Sequence, residues 1–174
     1  MMLPRIACAA ALALTLPALS ACGLQPLYAG GANAALPQGL AAVDVPAIPG
    51  RDGWLMRNAL RDRLGVAGEA EPRYRLDVRL DDALEALGVL NDDTISRERR
   101  ILRSRYQLID LQTGDILLDA TAGSDAGIDV VSSEYATIAA EQTALENLAK
   151  EVADRMVTRI SLTLRNQAQD AAGQ

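Results

Sequence analysis

Between residues 73 and 80 the chain alternates without exception. Tyr74, Leu76, Val78 and Leu80 take turns with Arg73, Arg75, Asp77 and Arg79. Successive side chains of an extended strand point to opposite faces, so this period of two predicts a strand with one face on a core and one outside it. Thr94 to Asp110 repeats the pattern over a longer run. Leu102, Ser104, Tyr106 and Leu108 fall on one face, and Arg97, Arg99, Ile101, Arg103 and Arg105 fall on the other. A chain with two such strands needs an apolar layer over one side of its sheet and a polar surrounding for the other.

The remaining stretches supply that layer. Asp52 to Leu64 carries Leu55, Met56, Ala59, Leu60 and Leu64 at helical spacing, with Asp52 as a candidate N-cap and Gly65 as a stop. Trp54 in its first turn reads as a core or edge anchor. A second helix is predicted after Ser132 or Ser133, with Ile138, Leu145, Leu148, Val152, Met156 and Ile160 in register to about Leu164. A first strand spans Leu40 to Ile48, with Val43 and Val45 inward and Pro46 and Pro49 ending it. Asp81 to Leu90 either prolongs the second strand, towards Ala86, or forms a short helical piece before a turn at Asn91-Asp92-Asp93. Gln112-Thr113-Gly114-Asp115 is a hairpin turn. Ile116 to Ala122 returns with Ile116, Leu118 and Ala120 together, and Gly123 to Val131 holds a bulge or the far end of that strand. The expected fold is α+β, a two-layer sandwich with two helices on one face of a mainly antiparallel sheet.

Residues 1–21 read as a leader. Arg5 is followed by an apolar segment from Ile6 to about Leu19 that is too short to span a bilayer comfortably. Leu19-Ser20-Ala21-Cys22 resembles the lipobox of bacterial lipoproteins, which makes Cys22 the expected lipidated first residue of the mature chain. An ordinary secretory cut near Ala21 would leave a lone exported thiol instead. Residues 22–39, rich in Gly, Ala and Pro, read as a tether, 40–166 as the domain, and 167–174 as a flexible polar tail.

Composition narrows the chemistry. The chain has no His, and Cys8, its only cysteine besides Cys22, lies in the leader. Imidazole and thiolate catalysis and soft-metal sites therefore lack their usual groups. Ser132 and Ser133 have no His to activate them. Asp92-Asp93 suits a turn better than a metal, so neither an enzyme nor a cofactor is expected. A net charge of −6 argues against nonspecific nucleic-acid binding. The basic groups are almost all arginine, whose fork fits phosphate and carboxylate. Arg97, Arg99, Arg103 and Arg105 are the candidate ligand residues. The competing reading is an ordinary solvated face, with Asp77, Glu98 and other acids relieving the repulsion between arginines on neighbouring strands.

Four stretches together resemble one family. They are Cys22-Gly23-Leu24-Gln25-Pro26-Leu27-Tyr28, Ser96-Arg97-Glu98-Arg99, Leu111-Gln112-Thr113-Gly114, and Ser133-Glu134-Tyr135-Ala136 leading into Ala140-Glu141. The chain resembles LptE, the lipopolysaccharide-assembly lipoproteins, in the alphaproteobacterial form. The resemblance implies two helices on a four-stranded sheet and an anchor on the periplasmic side of the outer membrane. It implies a plug and assembly role inside the β-barrel LptD, contact with lipopolysaccharide, and no enzyme activity. It also suggests that Pro26-Leu27-Tyr28 packs on the domain or the barrel wall. An auxiliary binding subunit of another lipid ABC transport system would share the anchor and the fold without the barrel.

Replacing Cys22 with Ser is expected to abolish acylation and move the protein out of the membrane fraction. Metabolic labelling with a palmitate analogue and fractionation check this.

Overall fold

The computed structural model describes residues 39–65, 71–87 and 97–172. After a helical turn at residues 39–41 come β1 (Val43–Asp44), α1 (Gly50–Leu64), β2 (Tyr74–Ala86), β3 (Arg97–Asp110), β4 (Ile116–Asp129) and α2 (Glu134–Ala172). The strands form one sheet in the order β1-β2-β3-β4. β1 runs parallel to β2, and α1 makes the crossover that a parallel pair requires. The other two pairings are antiparallel, with Tyr106 opposite both Val78 and Ala120. This is the expected α+β sandwich with four strands, both helices joining the sheet in one core.

That core forms because the even-numbered positions of β2 and β3 turn to the same side. Tyr74, Leu76, Leu102, Tyr106 and Leu108 are buried there against Met56 and Leu60 of α1 and Leu148, Val152, Met156 and Ile160 of α2. Arg63 of α1 forms a two-pronged ion pair with Asp154 of α2, joining the helices at their surface. Arg100 lies on the helix side of β3. It donates to both oxygens of Asp82, through Nε at 2.9 Å and Nη2 at 2.5 Å, and through Nη1 to the Glu141 carbonyl at 3.1 Å. One guanidinium thus ties β2, β3 and α2 where the apolar core gives out.

Local chemistry sets the boundaries. Gly65 closes α1 in the left-handed conformation, its N–H donating to the Arg61 carbonyl. In the turn after β3, the Gly114 N–H donates to the Asp110 carbonyl and the Gln112 N–H to the Asp110 carboxylate, each at 2.8 Å. Gly114 takes a φ of 79° there, which a Cβ would oppose. Ser133 is the residue that caps α2, its Oγ accepting from the Ala136 N–H at 3.4 Å.

Several sequence expectations change. The first strand pairs over only two residues, because the chain leaves the sheet at Pro46. α1 starts at Gly50 after an N-cap at Pro49 that makes no side-chain cap bond, so Asp52 lies in the first turn. Trp54 is 63% exposed and anchors nothing in the core, being opposite the buried Met56–Leu60 side of the helix. β2 does continue to Ala86, and β4 continues unbroken to Asp129. Ile116 does not share a face with Leu118. A register shift beside Leu108 and Ile109 pairs Ile109 with Ile116 and Leu108 with Leu118, leaving Ile116 56% exposed. α2 runs to Ala172, through the stretch expected to be a tail. Its buried positions lie between Leu145 and Leu164, so it overshoots the core at both ends, and Tyr135 is 84% exposed. Cys22, the tether as far as residue 38 and the Asn91-Asp92-Asp93 turn lie outside the described residues.

Ser104 sits mid-core at 2% exposure, and its hydroxyl has no hydrogen-bond partner among the described residues. Burying such a group costs free energy that Ala would not incur. Ser104→Ala is expected to raise unfolding stability by about 1 kcal/mol, as measured by urea denaturation.

Candidate functional site: the arginine face of the sheet

The face turned away from the helices is built by the odd-numbered residues of β2 and β3 and their partners on β4. On the central strand it carries Arg97, Arg99, Arg103 and Arg105, so the four candidate arginines do form one row. At about 3.4 Å per residue the row is about 27 Å long. β2 adds Arg75 and Arg79 to the same face. Acids flank the row. Asp77, Asp81 and Glu85 lie on β2, and Asp119, Asp125 and Asp129 lie on β4. Six cations therefore meet six carboxylates. The face is a charge-balanced surface with its positive groups in the middle, not a uniformly basic one.

Most of the row is already engaged. Arg97 pairs with Asp129 at 3.0 Å, Arg99 with Glu85 at 2.9 Å and Arg105 with Asp119 at 3.0 Å. Gln107 donates to the same Asp119 at 2.9 Å. Hydrogen bonds from Arg105 and then Gln107 hold the Asp119 carboxyl below its ordinary range. The bond to Glu85 raises Arg99, and the bond to Asp119 raises Arg105. The repulsion expected between strands is confined to one directly opposed pair, Arg79 and Arg105. Of the acids expected to relieve it, Asp77 binds Arg75 on its own strand at 3.0 Å. Glu98 is on the helix side and takes no part, because it is even-numbered in the β3 alternation.

Arg103 differs from its neighbours in forming no ion pair among the described residues. Asp81 stands opposite on β2, and Gly123 stands opposite on β4. The missing side chain at Gly123 matters, since a Cβ there would lie 3.3 Å from Arg103 Cγ and from the Leu102 carbonyl oxygen. Arg103 borders two shallow depressions. One, of about 470 Å³, is shared with Arg79, Arg105 and Thr121, and the other, of about 350 Å³, with Arg99, Asp125 and Arg155. Arg155 belongs to α2 and reaches the Gly123 carbonyl at the sheet edge. No local pattern marks it, because a helical arginine four residues after Glu151 reads as an i, i+4 surface pair, which it also is.

The arrangement can bind anions by exchanging internal carboxylates for external ones, or at once through Arg103. Among the described residues there is no cluster of His, Cys, Asp and Glu that could hold a metal ion, and no helix is long and apolar enough to cross a membrane.

The family model for LptE, lipopolysaccharide-assembly, matches residues 40–160. The chain belongs to the LptE family. The match covers all four strands, the first helix and α2 as far as Ile160, and it includes the arginine row. Among solved structures, a protein from Caulobacter crescentus CB15 is similar at 25% identity with a TM-score of 0.66, over 77% of this chain and 98% of that one. The rare lipoprotein B from Shewanella oneidensis shares the fold at 12% identity and a TM-score of 0.57, over 72% and 96%. A minor lipoprotein from Acinetobacter baumannii does so at 17% and 0.51, over 69% and 90%. No match was found among curated proteins. The family is one of lipopolysaccharide assembly, and the solved structures that share the fold include proteins described as lipoproteins.

Asp119 gives the face a pH dependence of known sign. Its carboxyl is lowered on folding, so its stabilising contribution is complete above the ordinary Asp value of about 4 and disappears as pH falls through the lowered one. Carbon-13 NMR is expected to place the Asp119 midpoint below about 4 in the native chain and to move it upward in Arg105→Gln.

Proposed function

We propose that this LptE-family chain is an outer-membrane lipoprotein, anchored through Cys22 on the periplasmic side, that plugs the LptD β-barrel and assists its assembly for lipopolysaccharide export. The observation that carries this reading is the charge-balanced sheet face of a chain whose family model spans residues 40–160. Outer-membrane barrels have polar interiors, so a plug needs a surface that is charged but not strongly of one sign. A face on which arginines and carboxylates cancel meets that need. A strongly basic face would bind any polyanion, and an apolar one would aggregate before reaching the barrel.

Lipopolysaccharide contact falls to the arginine row and is centred on Arg103, the member with no carboxylate to release first. Arg97, Arg99 and Arg105 contribute only by giving up Asp129, Glu85 and Asp119. The chain acts by binding and scaffolding, without catalysis or a cofactor, and nucleic acid has no part in it.

Depletion is expected to lower both surface lipopolysaccharide and correctly matured LptD, and a tagged chain is expected to copurify with the barrel. Unchanged export and barrel maturation on depletion would refute the proposal. For the purified chain, Arg103→Glu is expected to weaken lipopolysaccharide binding about tenfold, the loss of one charge-assisted contact. Arg97→Gln is expected to change it far less. Equal effects of the two would remove Arg103 from the centre of the site.

A further inference from the structure

β2 is an edge strand for most of its length. β1 pairs only with Tyr74 and Arg75, and Pro46 starts the departure of the chain. From Leu76 to Ala86 no described strand lies on that side. The Leu87 N–H donates to the Arg97 carbonyl at 2.8 Å, and the β2–β3 register has no shift. In an antiparallel ladder the direction of the backbone groups alternates, so the odd-numbered residues of β2 bond to β3. The even-numbered residues from Leu76 to Ala86 therefore turn their N–H and C=O groups outward. They form a row of donors and acceptors repeating about every 6.8 Å, which is the template that strand addition uses.

Natural edges are usually blunted by proline, a bulge or free charge. This one has neither of the first two within the strand. Much of its charge is spent internally, since Asp77 pairs with Arg75, Asp82 with Arg100 and Glu85 with Arg99. Arg79 is different. It forms no ion pair among the described residues, and it faces Arg105 across the ladder. It also lines a slot of about 370 Å³ between Pro46–Ile48 and the start of the free edge, together with Arg105 and Gln107.

We propose that the free edge of β2 accepts an extended, acidic segment of a partner polypeptide as a fifth strand, with a carboxylate of that segment on Arg79. The repeating backbone donors and acceptors of the edge match another peptide backbone, a feature that a lipid headgroup does not offer. Main-chain bonds supply affinity, and the Arg79–carboxylate contact fixes the register, because a one-residue slip would turn the acid to the helix side. The slot leaves room for the incoming chain where β1 diverges. Arg79 shares a depression with Arg103, but strand addition is read from the backbone groups of the β2 edge and lipopolysaccharide contact from Arg103, so the two readings fail in different experiments.

The test uses a fluorescein-labelled peptide, Thr-Val-Thr-Glu-Val-Thr-Val, with the full chain carrying Cys22→Ser. The Glu peptide is expected to bind at least tenfold more tightly by anisotropy than its Glu→Lys counterpart, with Arg79→Glu reversing the preference. N-methylation of alternate peptide nitrogens is expected to abolish binding in one phase and spare it in the other. Hydrogen exchange is expected to slow at Val78, Leu80 and Asp82. The proposal is overturned if no peptide binds, if both methylation phases bind alike, or if Arg79→Glu changes nothing. It is equally overturned if slowed exchange along β2 tracks protein concentration rather than peptide, which would assign the edge to a second copy of the chain.

Discussion

The two-sidedness of β3 is the constraint on which the rest of the molecule depends. It is the strand paired on both sides along nearly its whole length, and from Leu102 to Tyr106 it turns buried residues one way and arginines the other. Leu102, Tyr106 and Leu108 could not be buried without sending Arg103 and Arg105 the other way. A slip of one residue would drive the guanidinium row into the apolar core that Leu102, Tyr106 and Leu108 occupy. The same strand therefore fixes the core, the pairing of its neighbours and the position of the charged face.

This explains why the strand faces were legible in the sequence while the ends of the elements were not. Alternation over Arg73–Leu80 and Arg97–Asp110 determines which side chains turn inward, and Tyr74, Leu76, Leu102, Tyr106 and Leu108 are buried accordingly, with Val78 and Leu80 half-buried against them. Ile116 escaped because a register shift two residues away overrides local periodicity, and no residue there announces it. Trp54 escaped because an aromatic residue in a first helical turn is a weak constraint on orientation, and Met56 and Leu60 had already settled which side of α1 is inward. The helical stretch beyond Leu164 escaped because polar residues such as Asn166 and Gln167 suit a helix and a tail equally well.

The candidate site was legible in part for a related reason. The row of four arginines is a local pattern and could be read directly. Its electrostatic character is not local, because Glu85, Asp119 and Asp129 reach it only through pairing across 14 to 32 residues of sequence. What reads locally as a row of cations is a balanced lattice in which Arg103 is the one arginine of the β3 row with no ion pair among the described residues. Such a surface fits the proposed place inside a polar barrel interior and the proposed contact with an anion at Arg103.

The length of α2 has a consequence for how the molecule comes apart. Its central turns, from Leu145 to Leu164, are clamped in the core, whereas the turns before Leu145 and after Leu164 rest mostly on their own residues. Ala136, Ala139, Ala140 and Ala144 populate the leading section, and alanine is the residue that sustains a helix with least outside help. The terminal turns can therefore unwind and rewind while the clamped middle stays folded. One continuous rod then contains a rigid axle and two pliant ends, and the pliant ends can adapt their shape to a neighbour without loosening the sandwich.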